Sequence, residues 1–472
     1  MQYLDKAIGY FQKNGFVPTV KKIARRLTGT GWLTPDEDAL YEVRPFQVSP
    51  REVFTMPQHL LPYEGTVSVV VPTYNGAEEI PPLLEQLSRQ EGIGHLELIV
   101  VDSGSRDNTV ELCKAAGAQV TEITQAEFSH SYARMLGATK ASGEYLLFTT
   151  QDAIPDGPDW ILRMLQPVLQ CGAAAVSCFE QPKPGCDLLS LVTVWTWKKL
   201  MSGGCDRLTR MPSPADYDSL RRNAQLSDNA CLVSRQLYMD MGGHQGVYAE
   251  DLDLGIRLLE RGEALALMTS VAVIHSHNRE PLYYFKRAIV DAMSIAGMFS
   301  DFHLDALEAQ QAMNRLFTAS ACNRLYLRNI QAGKTCTPEE FKEFTRDSYN
   351  QCIMQAKKMD AAEIGSLMEQ AGADLDPSVR GFLLPLWEKY GAGYHFDAGL
   401  AVSQARYVMH SLCPYLADAH KTVDQHVYRE FNRTLWQYYG QSAGYTVAAA
   451  RLNPAVTDRD FIATADSFRT GV

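Results

Sequence analysis

From Thr66 onward the chain alternates β-branched runs with amphipathic segments, and this alternation limits the fold more than any other feature of its 472 residues. TVSVVVPTY is an apolar run closed by Pro72 and Tyr74, and a helical segment from Glu78 to Arg89 follows it. LELIVVDSG repeats the arrangement, with a helix from Asn108 to Ala116 behind it. AQVTEI is a weaker third strand, HSYARMLGATKAS a helix and EYLLFTTQD a fourth strand. Strands alternating with helices at this spacing form βαβ units and a parallel sheet covered on both faces. Right-handed crossovers bring the strand C-termini to one edge, which is where open α/β sheets bind ligands. Tyr74, Asn75, Asp102, Ser103 and Asp152 fall on that edge.

The length exceeds what one core of about 250–300 residues can organise, so several domains are expected. The divisions read from the pattern are an N-terminal basic amphipathic helical extension over 1–65, an α/β domain over 66–299 and a helical C-terminal domain over 300–472. In the extension Lys6, Lys13, Lys21, Lys22, Arg25 and Arg26 stand against Asp5, with apolar residues interleaved. Such a segment suits an anionic membrane surface and equally suits a helix packed on the domain. Residues 183–228 are rich in Pro, Gly, Ser and charge and read as a loop insertion over the ligand edge. A net charge of −11 excludes wholesale nucleic-acid binding, which needs a basic face. The ten cysteines include no CxxC pair and no metal-ligand spacing, in keeping with a reducing cytosol. No apolar run approaches the ~20 residues that span a bilayer, and MQYLDKAIGY lacks a signal-peptide pattern. The expected location is cytoplasmic, with the basic segment available for peripheral attachment to the inner face of the cell membrane.

A dinucleotide-binding domain would place GxGxxG after its first strand, and PTYNGAEEI stands there instead. The succession VVVPTYNGAEEI, IVVDSGSRDNT, SYARMLGATKASGEYLLFTTQDAIP and YAEDLDLGIRLLERG resembles the family 2 glycosyltransferases, over about Thr66 to Asn278. That resemblance implies an α/β, A-type glycosyltransferase fold with a Rossmann-like, mainly parallel sheet, here followed by an α-helical C-terminal domain. FSHSYAR, TQDAIP and HSHN are most similar to bacterial rhamnosyltransferases that use dTDP-L-rhamnose.

The resemblance also implies roles for individual residues. Pro72, Thr73, Tyr74 and Asn75 cradle the base and ribose. Asp102 accepts from the pyrimidine edge, with an Asx-turn in DSG as the alternative. Arg134 serves the diphosphate, for which its planar fork of donors is suited, although Met135 stands where the family often has Asn. Thr150, Gln151 and Asp152 occupy the three positions of the DxD triplet, so Asp152 alone is left to hold Mg²⁺ or Mn²⁺ against the diphosphate. His275, 24 positions after Asp251, and His277 on the same strand face complete the metal set. Asp251 is the base of the ED pair. The helix N-terminus weakens its basicity while Glu250 strengthens it. Asp228 and Asn229 contact sugar hydroxyls or acceptor, and Trp195 and Trp197 stack on a sugar face.

The expected protein is thus an inverting glycosyltransferase moving a sugar, L-rhamnose in the first instance, to a glycan or lipid-linked acceptor of a bacterial surface polysaccharide. A UDP-hexose or UDP-N-acetylhexosamine donor is the alternative within the fold. The broken triplet and Met135 also admit an inactive sugar-nucleotide or glycan-binding module. The helical domain is a candidate for acceptor binding, homodimer formation or membrane docking.

Overall fold

The computed structural model describes residue 33 and residues 52–469, apart from 200–203, 247, 331–333, 373–376, 395 and 420. The basic segment of the N-terminal extension lies outside the described residues.

The apolar runs become strands of one ten-stranded mixed sheet. They are β1 (Glu52–Val53), β2 (Tyr63–Thr73), β3 (Ile93–Asp102), β4 (Gln119–Glu122), β5 (Tyr145–Phe148), β6 (Ile154–Pro155), β7 (Ala175–Gln181), β8 (Arg207–Thr209), β9 (Cys231–Ser234) and β10 (Leu265–Ile274). Their order is β1-β8-β10-β7-β9-β5-β2-β3-β4, with β6 paired to β10. Val67, Val69, Val70 and Val71 of β2 are buried on both faces, which is why this strand reads as a continuous apolar run and not as an alternation. β2 lies parallel to β3 and β5, and β3 parallel to β4.

Three strands break the parallel pattern that the sequence suggests: β6 and β8 run antiparallel to β10, and β9 breaks it in the middle of the sheet. β9 runs antiparallel to both β5 and β7, so β5 and β7 point the same way, and β10 is parallel to β7. The ends of β2, β3, β5, β7 and β10 therefore share one edge, and the residues just before β9 reach the same edge from the opposite direction.

Residues 183–228 differ from the loop expected of them. They hold the helix Leu188–Trp197, β8 and the helix Tyr217–Asn223. Leu188 and Val192 are buried in the core of the helical region, so this insertion joins the two parts of the molecule. From Pro281 the chain is helical. The helix Pro281–Met298, which the sequence reading grouped with the α/β domain, lies along the helix Gln425–Arg451. Gly440 and Gly444 permit that approach, because a Cβ at either would sit 2.3 Å from the carbonyl oxygen of Pro281 or Phe285. Gln437 ties the parts together, its amide donating to Asp187 at 2.8 Å and to the Arg279 carbonyl at 2.7 Å. Among the described residues, no helix is long and apolar enough to cross a membrane.

Candidate active site

The loops after β2 and β3 are stitched to each other. Asn75 takes a left-handed backbone, φ 44, which turns its amide toward the Ser105 hydroxyl (2.8 Å) while its side chain accepts from the Arg106 amide (2.8 Å). Asp102 is 1% exposed, and its carboxylate accepts from Gly104 N, Ser105 N, Ser105 Oγ and Thr73 Oγ1 at 2.6–3.0 Å. This is the Asx-turn arrangement. A base meeting Asp102 would share its carboxylate with these donors. Tyr74 is 44% exposed and offers an open ring at the edge. Gln151 holds it there, accepting from Tyr74 N at 2.9 Å and donating to Glu79 at 2.9 Å. Gly76 leaves room for this clamp, since a Cβ there would meet the Gln151 amide at 2.5 Å. Pro72, at the end of β2, pairs with Val101.

Across the edge, Asp152, His275 and His277 converge. Their ligand atoms all lie within 4.8 Å of one another. Asp152 Oδ2 is 3.4 Å from His275 Nε2, 3.3 Å from His277 Nε2 and 3.6 Å from Lys183 Nζ, and it is buried without a hydrogen-bond partner. β10 stops at Ile274, so the two histidines lie just past the strand, with their Nε2 atoms 3.2 Å apart. Burial would raise Asp152, but facing His275, His277 and Lys183 hold it far below the usual carboxylate range. Burial would likewise lower His275, and its contacts with Asp152 and Glu180 instead push it up to about 9. Glu180 Oε2 lies 2.9 Å from His275 Nδ1, leaving Nε2 to face Asp152.

These residues fit a divalent cation. An unpartnered buried carboxylate oxygen meets two imidazoles, and one of them is oriented by a carboxylate on its far nitrogen, as metal-binding histidines usually are. Asn229 braces the cluster, with Nδ2 3.3 Å from His275 Nδ1 and Oδ1 accepting from Thr150 at 3.0 Å.

Asp251 stands at the start of the helix Glu250–Glu260. Ala249 before it has φ 56, a left-handed conformation that costs a non-glycine residue ~1–2 kcal/mol and turns the chain sharply into the helix. Asp251 Oδ2 lies 3.4 Å from Gln225 Nε2. Burial, followed by the charges of Asp228 and Glu250, pushes Asp251 up to about 7, near the value at which a carboxylate is an effective base in neutral solution. Its neighbours are held by other partners. Arg134, 3% exposed, lies 2.9 Å from Glu250 and 3.1 Å from Asp228 through Nη1. Asp228 also meets His244 Nε2 at 3.0 Å, and His244 Nδ1 meets the Tyr238 hydroxyl at 2.8 Å.

Residues 68–210 match the family model described as Glycosyl transferase family 2. The O-antigen chain rhamnosyltransferase RfbN of Salmonella typhimurium is 26% identical over 226 residues, covering 47% of this chain and 69% of that protein. The O-antigen chain rhamnosyltransferase WbaN of Salmonella anatum is 24% identical over 225 residues, again 47% and 69%. The chain carries a family 2 glycosyltransferase domain. Among solved structures, the mannosyltransferase PcManGT from Pyrobaculum calidifontis, in complex with GDP-Man and Mn²⁺, is similar over 81% of the glycosyltransferase and 91% of its own chain, at 16% identity and TM-score 0.41.

Several expected contacts of the glycosyltransferase take another form. Arg134 does not stand open for a diphosphate; its guanidinium neutralises Asp228 and Glu250 from within. Asp228 and Asn229 are engaged by protein partners and not presented free to sugar hydroxyls. Trp195 turns away from the edge, donating to Asp418 at 2.7 Å and packing edge-on against Tyr415. Its place facing the helical region follows from the apolar packing of Leu188 and Val192 on the same helix. Glu180, Lys183, Gln225 and His244 of the glycosyltransferase were missed in the sequence. Glu180 carried a signal, an acid at the end of the apolar run AVSCF, the same signal that marked Asp102.

Proposed function

We propose that the glycosyltransferase moves L-rhamnose from dTDP-L-rhamnose, with inversion, to a hydroxyl of a bacterial surface polysaccharide or its lipid-linked precursor. The observation that carries the transfer is the placement of Asp251, a carboxylate near neutrality, on the same sheet edge as the convergent Asp152, His275 and His277. The choice of sugar is supported by the names of RfbN and WbaN, both rhamnosyltransferases of O-antigen chains.

The exposed ring of Tyr74 stacks on the pyrimidine, and the stitched loops hold it in place. Asp152, His275 and His277 would hold Mg²⁺ or Mn²⁺, with nitrogen donors favouring Mn²⁺; such a cation, when bound, neutralises charge on the departing diphosphate. Asp251 takes the proton of the attacking hydroxyl as the new C–O bond forms. A single displacement from the face opposite the diphosphate inverts the anomeric centre, and no carboxylate nucleophile is needed.

A panel of dTDP-, UDP- and GDP-sugars, assayed for nucleoside diphosphate release with Mn²⁺ or with EDTA, tests the reading. Turnover confined to dTDP-L-rhamnose and dependent on a divalent cation is expected. Turnover confined to a UDP-hexose would replace the donor and leave the chemistry in place.

A further inference from the structure

The left-handed turn at Ala249 lies between two residues that are held from opposite sides. After it, Glu250 is paired with Arg134 at 2.9 Å, inside the α/β domain. Before it, the Tyr248 hydroxyl donates to Asp291. Arg287, one helical turn ahead of Asp291, sets its guanidinium 4.7 Å from the centre of the Tyr248 ring. Arg287 Nε is 3.8 Å from Asp291 Oδ1, so the helix Pro281–Met298 meets this tyrosine with a carboxylate and a guanidinium side by side. Other points of the same loop are tied within the α/β domain: Ser131 Oγ donates to the Gly246 carbonyl and Arg257 Nη2 to the Gly243 carbonyl, both at 2.7 Å. Tyr248 reaches the other way, onto a helix that packs along Gln425–Arg451. A non-glycine residue stays left-handed only where its surroundings over-determine it, and tethers on both neighbours of Ala249 do so here.

We propose that Tyr248, Arg287 and Asp291 form a brace through which the helical region positions Asp251, three places after the tyrosine. This rests on the transfer reading above, in which Asp251 takes the proton, and it assigns the residues that set its direction. They are positioning residues and act through the backbone. With Tyr248 fixed to one part of the molecule and Glu250 to the other, the turn between them has one course, and the first turn of the helix Glu250–Glu260 presents the Asp251 carboxylate at one angle. Freed of Tyr248, Ala249 relaxes toward the right-handed or extended backbone that a residue with a Cβ prefers. Asp251 then swings with the helix start. Arg287 and Asp291 lie beyond residues 68–210, which match the family model, so the brace comes from how this chain packs its helical region.

Tyr248→Phe keeps the ring beneath Arg287 and deletes the hydroxyl, and Asp291→Ala deletes its acceptor. In the full chain, kcat for dTDP release from dTDP-L-rhamnose should fall about 10–100-fold in both, the effect of a small misplacement of a reacting group. The donor KM and the urea midpoint should hold. Asp291→Asn retains an acceptor oxygen and should recover most of the rate, short of wild type because the charge-assisted bond is lost. Tyr248→Phe added to Asp251→Asn should lower kcat no further, since no base is left to place. A readout without donor is hydrogen exchange of the Asp253 amide, which donates to the Ala249 carbonyl at 3.0 Å and should exchange about tenfold faster in Tyr248→Phe. Wild-type kcat in Tyr248→Phe, a loss that multiplies in the Asp251→Asn background, or unchanged exchange would overturn the proposal. Full turnover in Asp251→Asn alongside faster exchange in Tyr248→Phe would instead remove the base from the transfer reading and leave the brace.

Discussion

The two halves of the ligand edge are built on different electrostatics. Over the ends of β2 and β3, Asp102 is satisfied by four neutral donors and the loops are closed on each other through Asn75, Ser105 and Gln151. Over β5, β7, β9 and β10 gather Asp152, Glu180, Asp228, Glu250 and Asp251, with Arg134, Lys183 and the raised imidazole of His275 facing them. The neutral half is complete as it stands. The charged half is not, since Asp152 Oδ2 makes ion-pair contacts but no hydrogen bond, and Asp251 is pushed toward protonation by burial and then by its acidic neighbours. On the proposed reading, recognition sits on a preformed neutral cradle, and chemistry sits where excess negative charge would be relieved by taking up a cation or a proton.

The sharpest way to break this contrast is Asp251→Asn. Transfer should fall about 10²–10⁴-fold, the usual contribution of a general base, while the donor KM holds. The same variant removes a pH signature. Asp251 must be deprotonated to act and sits at about 7, so wild-type kcat/KM should fall about tenfold per unit below that pH and level off above it. A wild-type profile flat from pH 5 to 8, at constant metal, would show that another group takes the proton.

Arg134→Met probes the internal balance. It leaves Asp228 and Glu250 buried side by side without their common cation, and the destabilisation expected is ~3–5 kcal/mol, read from the urea midpoint. An Arg134 that mainly serves the diphosphate would show a raised donor KM and unchanged stability. Glu180→Gln tests the support of His275: Mn²⁺ affinity, measured by calorimetry, should weaken about 10–100-fold, the range for a lost partner behind a metal-binding histidine. On the neutral half, Tyr74→Ala should raise the donor KM roughly tenfold through lost stacking on the base, with kcat and metal affinity unchanged. A drop in kcat equal to the rise in KM would erase the division between the two halves.

Much of this edge is legible in the sequence. Tyr74, Asp102 and Asp152 follow from where apolar runs stop, because period-two and period-3.6 patterns fix element ends without knowledge of partners; Asp251, His275 and His277 are singled out by the resemblance to the family 2 glycosyltransferases. Glu180 was within reach of the same rule. The sign of the balance at Asp251 was open in the sequence: a helix N-terminus and Glu250 oppose each other, and Asp228, far away in the chain, joins Glu250 to raise it. Arg134 meets Glu250 across 116 positions and Trp195 meets Asp418 across 223; partners at that separation are chosen by how whole elements pack, on which residue type and spacing are silent.

By itself, then, the sequence determined the strands β2 to β5, the edge their C-terminal ends share and the residue types delivered there, since local periodicity and chain reversal are properties of short segments. The tertiary structure alone decided which of those acids are neutralised and which stay reactive. It inserted β9 antiparallel between β5 and β7, bringing Asp228 beside Asp251, and packed the helix Leu188–Trp197 against the helix Gln425–Arg451. Charge balance and helix packing depend on distances between groups remote in the chain, and those distances exist only once the elements have packed.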